Sequence, residues 1–147
     1  MARDLRVLLD LNIILDVLTR REPGYRDSAA VWALVETGRM AGVVAAHSLT
    51  TLFYLMSRHI DGPTAVAALK DLLRVFSVAA VDQDVILRAL QLGWRDFEDA
   101  VQMAAAERSG SDYVVTRNVR DFTSGLVPAI QPAELVALSE SGGDKPR

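Results

Sequence analysis

Carboxylates recur in this sequence where the chain turns. Asp10 ends the apolar run Val7-Leu8-Leu9. Three acids fall within Asp96-Phe97-Glu98-Asp99, and Asp121 follows in Thr116-Arg117-Asn118-Val119-Arg120-Asp121. Each also suits a bland role. Asp10, Asn118 and Asp121 are turn formers. Asp96 suits a helix cap, with Asp99 completing a variant capping box, and the helix dipole favours both. So many carboxylates in so short a segment nevertheless carry more charge than a cap requires. Sharing one pocket, Asp10, Asp99 and Asp121 would raise each other's pKa and destabilise the fold. A divalent cation removes that conflict. Oxygen ligands without cysteine suit Mg²⁺ or Mn²⁺, and such ions activate water and stabilise phosphoryl transition states.

The elements that must position these residues follow from the apolar pattern. Residues 5–9 read as a buried strand and 12–20 as a helix with Ile13, Ile14, Val17 and Leu18 at helical spacing. Asp16 and Arg20, four apart, suit a surface ion pair on that helix. Arg21-Glu22-Pro23-Gly24 ends it. A helix is expected over 27–37, a strand over 42–46, and a helix capped by Ser48 and running to 59. Pro63 opens a helix over 64–74, before a strand over 75–81. Helices over 82–92 and 96–109, strands over 112–116 and near 127–131, and a short helix from Pro132 complete the chain. The strands alternate with helices and are continuously apolar. That predicts an α/β fold with a parallel sheet covered on both faces. In such sheets ligands sit beyond the carboxyl ends of the strands, near the switch in strand order. Asp10, Asp99 and Asp121 would meet there. Residues 1–140 read as one domain and 141–147 as a frayed polar tail.

Composition bounds the partners. The chain has 147 residues, half of them hydrophobic, and no cysteine. A disulfide scaffold, a thiol nucleophile and a cysteine zinc site are excluded. The formal net charge of −3 argues against a generic basic coat for nucleic acid, but not against an acidic site gripped by a local arginine patch. Lys70 and Lys145 are the only lysines, and arginine suits bidentate phosphate contact. No apolar run is long enough to span a membrane, and the early charges with Asp10, Asn12 and Asp16 do not resemble a secretory signal. The chain reads as cytoplasmic and unprocessed. His47 and His59 lack ligand spacing. Trp32, Trp94, Phe53, Tyr54 and Phe97 suit core or dimer packing better than base stacking.

Three segments together carry a resemblance. They are Leu8-Leu9-Asp10-Leu11-Asn12-Ile13-Ile14-Leu15-Asp16, Asp96-Phe97-Glu98-Asp99-Ala100 with its alanine-rich continuation, and Val114-Val115-Thr116-Arg117-Asn118-Val119-Arg120-Asp121-Phe122. In order and spacing they resemble the PIN domain, nearest to the VapC-like ribonuclease toxins of bacterial toxin–antitoxin pairs. The resemblance implies a three-layer α/β/α sandwich with a mostly parallel sheet of about five strands. It implies a Mg²⁺- or Mn²⁺-dependent ribonuclease, a homodimer, an RNA substrate and a neutralising antitoxin. Asp10, Asp99 and Asp121 match the family's acidic metal ligands, with Asp96 as an extra ligand. Asn12 and Asn118 match positions that steady the ligands, while Thr116 and Arg117 suit phosphate contact or support of the loop. One departure lies on the helix after the second strand, where many members carry Glu or Asp and this chain has Thr51.

Three functions compete. The first is a metal-dependent endoribonuclease toxin. The second is a catalytically weakened PIN fold that binds RNA or a protein, which the uncharged Thr51 keeps open. The third, a metal-dependent phosphatase or receiver-like phospho-acceptor, lacks the paired aspartates and the later lysine it would need. Fold alone does not choose among them.

Overall fold

The computed structural model describes residues 4–141; the expected tail from 142 onward lies outside the described residues. Five strands form one parallel sheet in the order β3-β2-β1-β4-β5. They are β1 (Arg6–Leu9), β2 (Ala41–Ala45), β3 (Ser77–Ala79), β4 (Tyr113–Val115) and β5 (Ala129–Ile130). The helices are α1 (Leu11–Leu18), α2 (Tyr25–Glu36), α3 (Ala46–His59), α4 (Gly62–Val75), α5 (Gln83–Leu92), α6 (Phe97–Arg108) and α7 (Pro132–Glu140). A single 3₁₀ turn, Val119–Phe122, follows β4.

Successive strand residues point to opposite faces, and both faces are covered. Val7 and Leu9 join a core with Ile13, Ile14, Val31, Leu52, Leu72 and Leu135, from α1, α2, α3, α4 and α7. Leu8 joins a second core with Val85, Ala89, Met103 and Phe122, from α5, α6 and the 3₁₀ turn. That is why β1 reads as an unbroken apolar run. Helix α6 is buried from Ala100 to Ala106, and alanine there lets it lie close on the sheet.

Several boundaries differ from the sequence reading. β3 is shorter than 75–81 because it is an edge strand paired only with β2, and Val78 is 44% exposed. Helix α3 begins at Ala46, directly after β2, so Ser48 is a buried residue inside the helix and not its cap. Asp16 is wholly buried and pairs with Arg21 and Arg117, so it forms no surface pair with Arg20. The helical spacing was right, but tertiary partners took the carboxylate.

Candidate active site

Strand order changes direction between β1 and β4: the chain passes from β1 outward through β2 to β3, then returns to β4 on the other side of β1. This is the switch point at which such sheets open a crevice. Asp10 stands there, its amide donating to Val115 O at 2.9 Å. Its carboxylate is not a regular cap of α1, although the Asn12 amide acts on it. It turns inward and is 2% exposed. Oδ1 accepts from Gln102 Nε2 at 3.1 Å and Oδ2 from Thr116 Oγ1 at 2.9 Å. Thr116 Oγ1 in turn accepts from the Asn118 amide at 3.1 Å, which fixes the hydroxyl's direction.

Gln102 is the residue the sequence reading missed. It is 1% exposed and ties α6 to α1, α3 and the β1–α1 junction. Its Oε1 accepts from the Leu11 amide at 3.1 Å and, at 3.5 Å, from Ser48 Oγ of α3. Those donors turn Nε2 toward the carboxylates, where it also reaches Asp99 Oδ1 at 3.4 Å. Asp10 and Asp99 are thus bridged by one buried amide. The signal was present: Gln102 is the lone polar side chain between Ala100 and Ala106. A buried polar group needs partners.

Asp96 does cap α6, accepting from the Asp99 amide at 3.0 Å. Asp99 lies one turn in and is half-buried. Its pKa is raised to about 7, chiefly by burial and then by the charges of Asp10, Asp96 and Asp121. Burial likewise raises Asp10, against lowering by Gln102, Thr116, the Asn12 amide and Arg117. Asp121 is exposed on the 3₁₀ turn, its amide bonded to Asn118 O at 2.9 Å. Asp96, Asp99 and Asp121 line one open cleft with Arg95, Arg120 and Trp94. Trp94 stands edge-on to Phe122 and donates to Ser124 Oγ. The two arginines were not singled out in the sequence, where they looked like ordinary surface charge.

Other expected residues sit differently. Among the described residues, the Asn12 and Asn118 side chains make no hydrogen bond to the aspartates; both contribute backbone groups. Arg117 pairs with Asp16 at 3.0 Å and so supports the loop. Thr51 Oγ1 donates back to His47 O at 3.4 Å on its own helix. His47 meets Glu98 O at 3.2 Å, tying α3 to the first turn of α6. Among the described residues, no three acidic or histidine side chains converge closely enough to enclose a metal ion.

The PIN domain family profile matches residues 6–120. No curated protein sequence matches the chain significantly. Solved structures do. A VapC toxin of Mycobacterium tuberculosis, described as cleaving the sarcin–ricin loop, is 20% identical with a TM-score of 0.61, over 74% of this chain and 86% of its own. DNA-bound VapBC of Salmonella typhimurium is 16% identical with a TM-score of 0.68, over 87% and 98%. FitAcB of Neisseria gonorrhoeae is 18% identical with a TM-score of 0.67, over 86% and 98%. Identities this low establish a common fold and no more. The profile spans most of the chain, from β1 to the 3₁₀ turn, and with the sheet order it places this protein in the PIN domain family.

Proposed function

We propose that this protein is a metal-dependent endoribonuclease, a PIN-domain toxin restrained by an antitoxin protein. One observation carries the reading: Asp10 and Asp99 are held together by Gln102 at the switch point, with no arginine or lysine bonded to either among the described residues. Burial raises the proton affinity of both, and for Asp99 the charges of Asp10, Asp96 and Asp121 add to it.

The donor chemistry fits a hard divalent cation, since three carboxylates, Asp96, Asp99 and Asp121, line the cleft. Asp10 and Asp99 would hold it, with Asp96 and Asp121 adding charge from the cleft. Mg²⁺ is often held by one or two carboxylates together with substrate phosphate. When bound, such an ion supplies an activated water and stabilises charge on the phosphoryl group. The chain's own groups do the rest. Gln102 and Thr116 fix the Asp10 carboxylate, and Arg95 and Arg120 offer guanidinium groups to the phosphates of an RNA strand. The toxin reading draws on the VapBC and FitAcB neighbours. A homodimer or an antitoxin segment would find apolar surface at Phe53, Tyr54 and Ile60 of the α3 region. Trp32 is partly buried and packs edge-on against Phe76. No helix among the described residues is long and apolar enough to cross a membrane.

The test is cleavage of a structured RNA by the purified protein. We expect cutting with Mg²⁺ or Mn²⁺ and none with EDTA. Cutting that persists in EDTA sinks the metal-dependent reading. Metal-independent RNA binding without cutting favours the weakened binding module instead, for which Thr51 is the motive, because its hydroxyl is turned to its own helix.

A further inference from the structure

Asp16 lies outside the cleft, yet its surroundings bear on it. The carboxylate is 0% exposed. Oδ1 accepts from Arg21 Nε at 2.8 Å, and Oδ2 meets Arg117 Nε at 3.0 Å and Ser28 Oγ at 3.3 Å. A buried carboxylate is tolerated only with such charge-assisted partners. The chain closes tightly over the cluster at Gly24. A Cβ there would lie 2.4 Å from Asp16 Oδ2 and 3.3 Å from Arg117 Cδ, so only glycine fits.

Both arginines carry this anchor toward the cleft. Arg21 donates through its terminal nitrogen to Asn12 O at 3.3 Å, just beyond Asp10. Arg117 follows Thr116, whose hydroxyl binds Asp10, and precedes the turn that bears Asp121. The Arg117 charge also favours the ionised form of Asp10. One buried group therefore reaches both segments from which Asp10 and Asp121 project.

We propose that Asp16 is a positioning residue: through Arg117 and Arg21 it holds the Asp10 and Asp121 segments in the arrangement the cleft requires. The kinetic part of this rests on the ribonuclease reading; the structural part does not. The variants are Asp16→Asn, Arg117→Gln and the double mutant, each checked by circular dichroism. The readouts are kcat and KM for RNA with Mn²⁺, and amide hydrogen exchange at residues 116–123 against that of α4. Small misplacement near reacting groups is expensive, so Asp16→Asn should lower kcat at least tenfold with KM changed less than about threefold. Exchange at 116–123 should quicken about tenfold while α4 is unchanged. If Asp16 acts through Arg117, the double mutant should be no worse than the poorer single, within about twofold.

Wild-type kcat in Asp16→Asn, multiplying effects in the double mutant, or equal quickening in α4 each overturns the proposal. The last outcome makes Asp16 a general stabiliser only. If the wild type cuts no RNA, the ribonuclease reading fails, and the exchange comparison still decides the positioning claim. If Asp16→Asn does not fold, Arg117→Gln decides it, and unchanged exchange at 116–123 refutes the link.

Discussion

Asp10 and Asp16 stand at opposite ends of α1, and both are buried. Around Asp16 the protein supplies two guanidinium groups and a hydroxyl, so its charge is matched within the chain. Around Asp10 the hydrogen-bonding side chains are a neutral amide and a neutral hydroxyl, Arg117 acts only through its field, and the carboxylates of Asp96, Asp99 and Asp121 lie in the neighbouring cleft. A carboxylate needed only for structure is neutralised by its own protein. One left with neutral partners and more acid nearby keeps charge for something else to neutralise. The contrast is between a carboxylate matched within the chain and one that is not, and it can be broken by experiment.

The largest effect expected is on cleavage. Asp10→Asn or Asp99→Asn should lower the rate at least a hundredfold, about 2.7 kcal/mol of activation free energy, while the fold is kept; a gel assay on RNA measures it. Next is stability. Asp16→Ala should destabilise by about 2–3 kcal/mol in urea titration, since charge-assisted bonds are lost but both arginines can turn to water. Asp10→Asn should cost little in the same titration, or gain, because it removes repulsion. If the two variants lose equally, the contrast is wrong.

Smaller effects sharpen it. Thr51→Glu should tighten Mn²⁺ about tenfold, ~1.4 kcal/mol, if the new carboxylate reaches Asp10. Unchanged affinity would keep position 51 out of the site. The last effect is pH dependence. The folded pKa of Asp99 is pushed up to about 7, above the ordinary aspartate value of 3.8. Between these values the folded protein holds a proton that the unfolded chain has lost. Metal-free stability should therefore fall as pH rises through that window. Because solvent screens a half-exposed group, the loss is about 1 kcal/mol, a Tm drop of about 3 °C. Asp99→Asn should flatten the profile, and Mn²⁺ should offset the drop in the wild type. A wild-type Tm that rises across the same range counts against it.

The two carboxylates also mark what the sequence could and could not disclose. The strands were legible because burial on both faces leaves uninterrupted runs such as Val7-Leu8-Leu9. The Asp96 cap was legible because it is local in sequence. Asp16 was misjudged because helical spacing offered Arg20, whereas its real partners include Arg117, brought close only by the sheet order. Ser48 looked like a cap because nothing in the sequence forces α3 to begin directly from β2. Gln102 stood out as polar among alanines, but that Asp10 and Asp99 were its partners emerges only when α6 packs beside the end of β1. Arg95 and Arg120 are indistinguishable from surface arginines until the cleft is formed.

On the proposed reading, Asp10 and Asp99 together bind a divalent cation. Calorimetric titration with Mn²⁺ at pH 7.5, on the wild type and on Asp10→Asn, Asp99→Asn and Arg117→Gln, tests it most directly. Binding to the wild type should be saturable. Affinity should fall at least tenfold, about 1.4 kcal/mol, in either aspartate variant, and by less in Arg117→Gln, which leaves both carboxylates in place. Equal Mn²⁺ affinity in wild type and Asp99→Asn would contradict it.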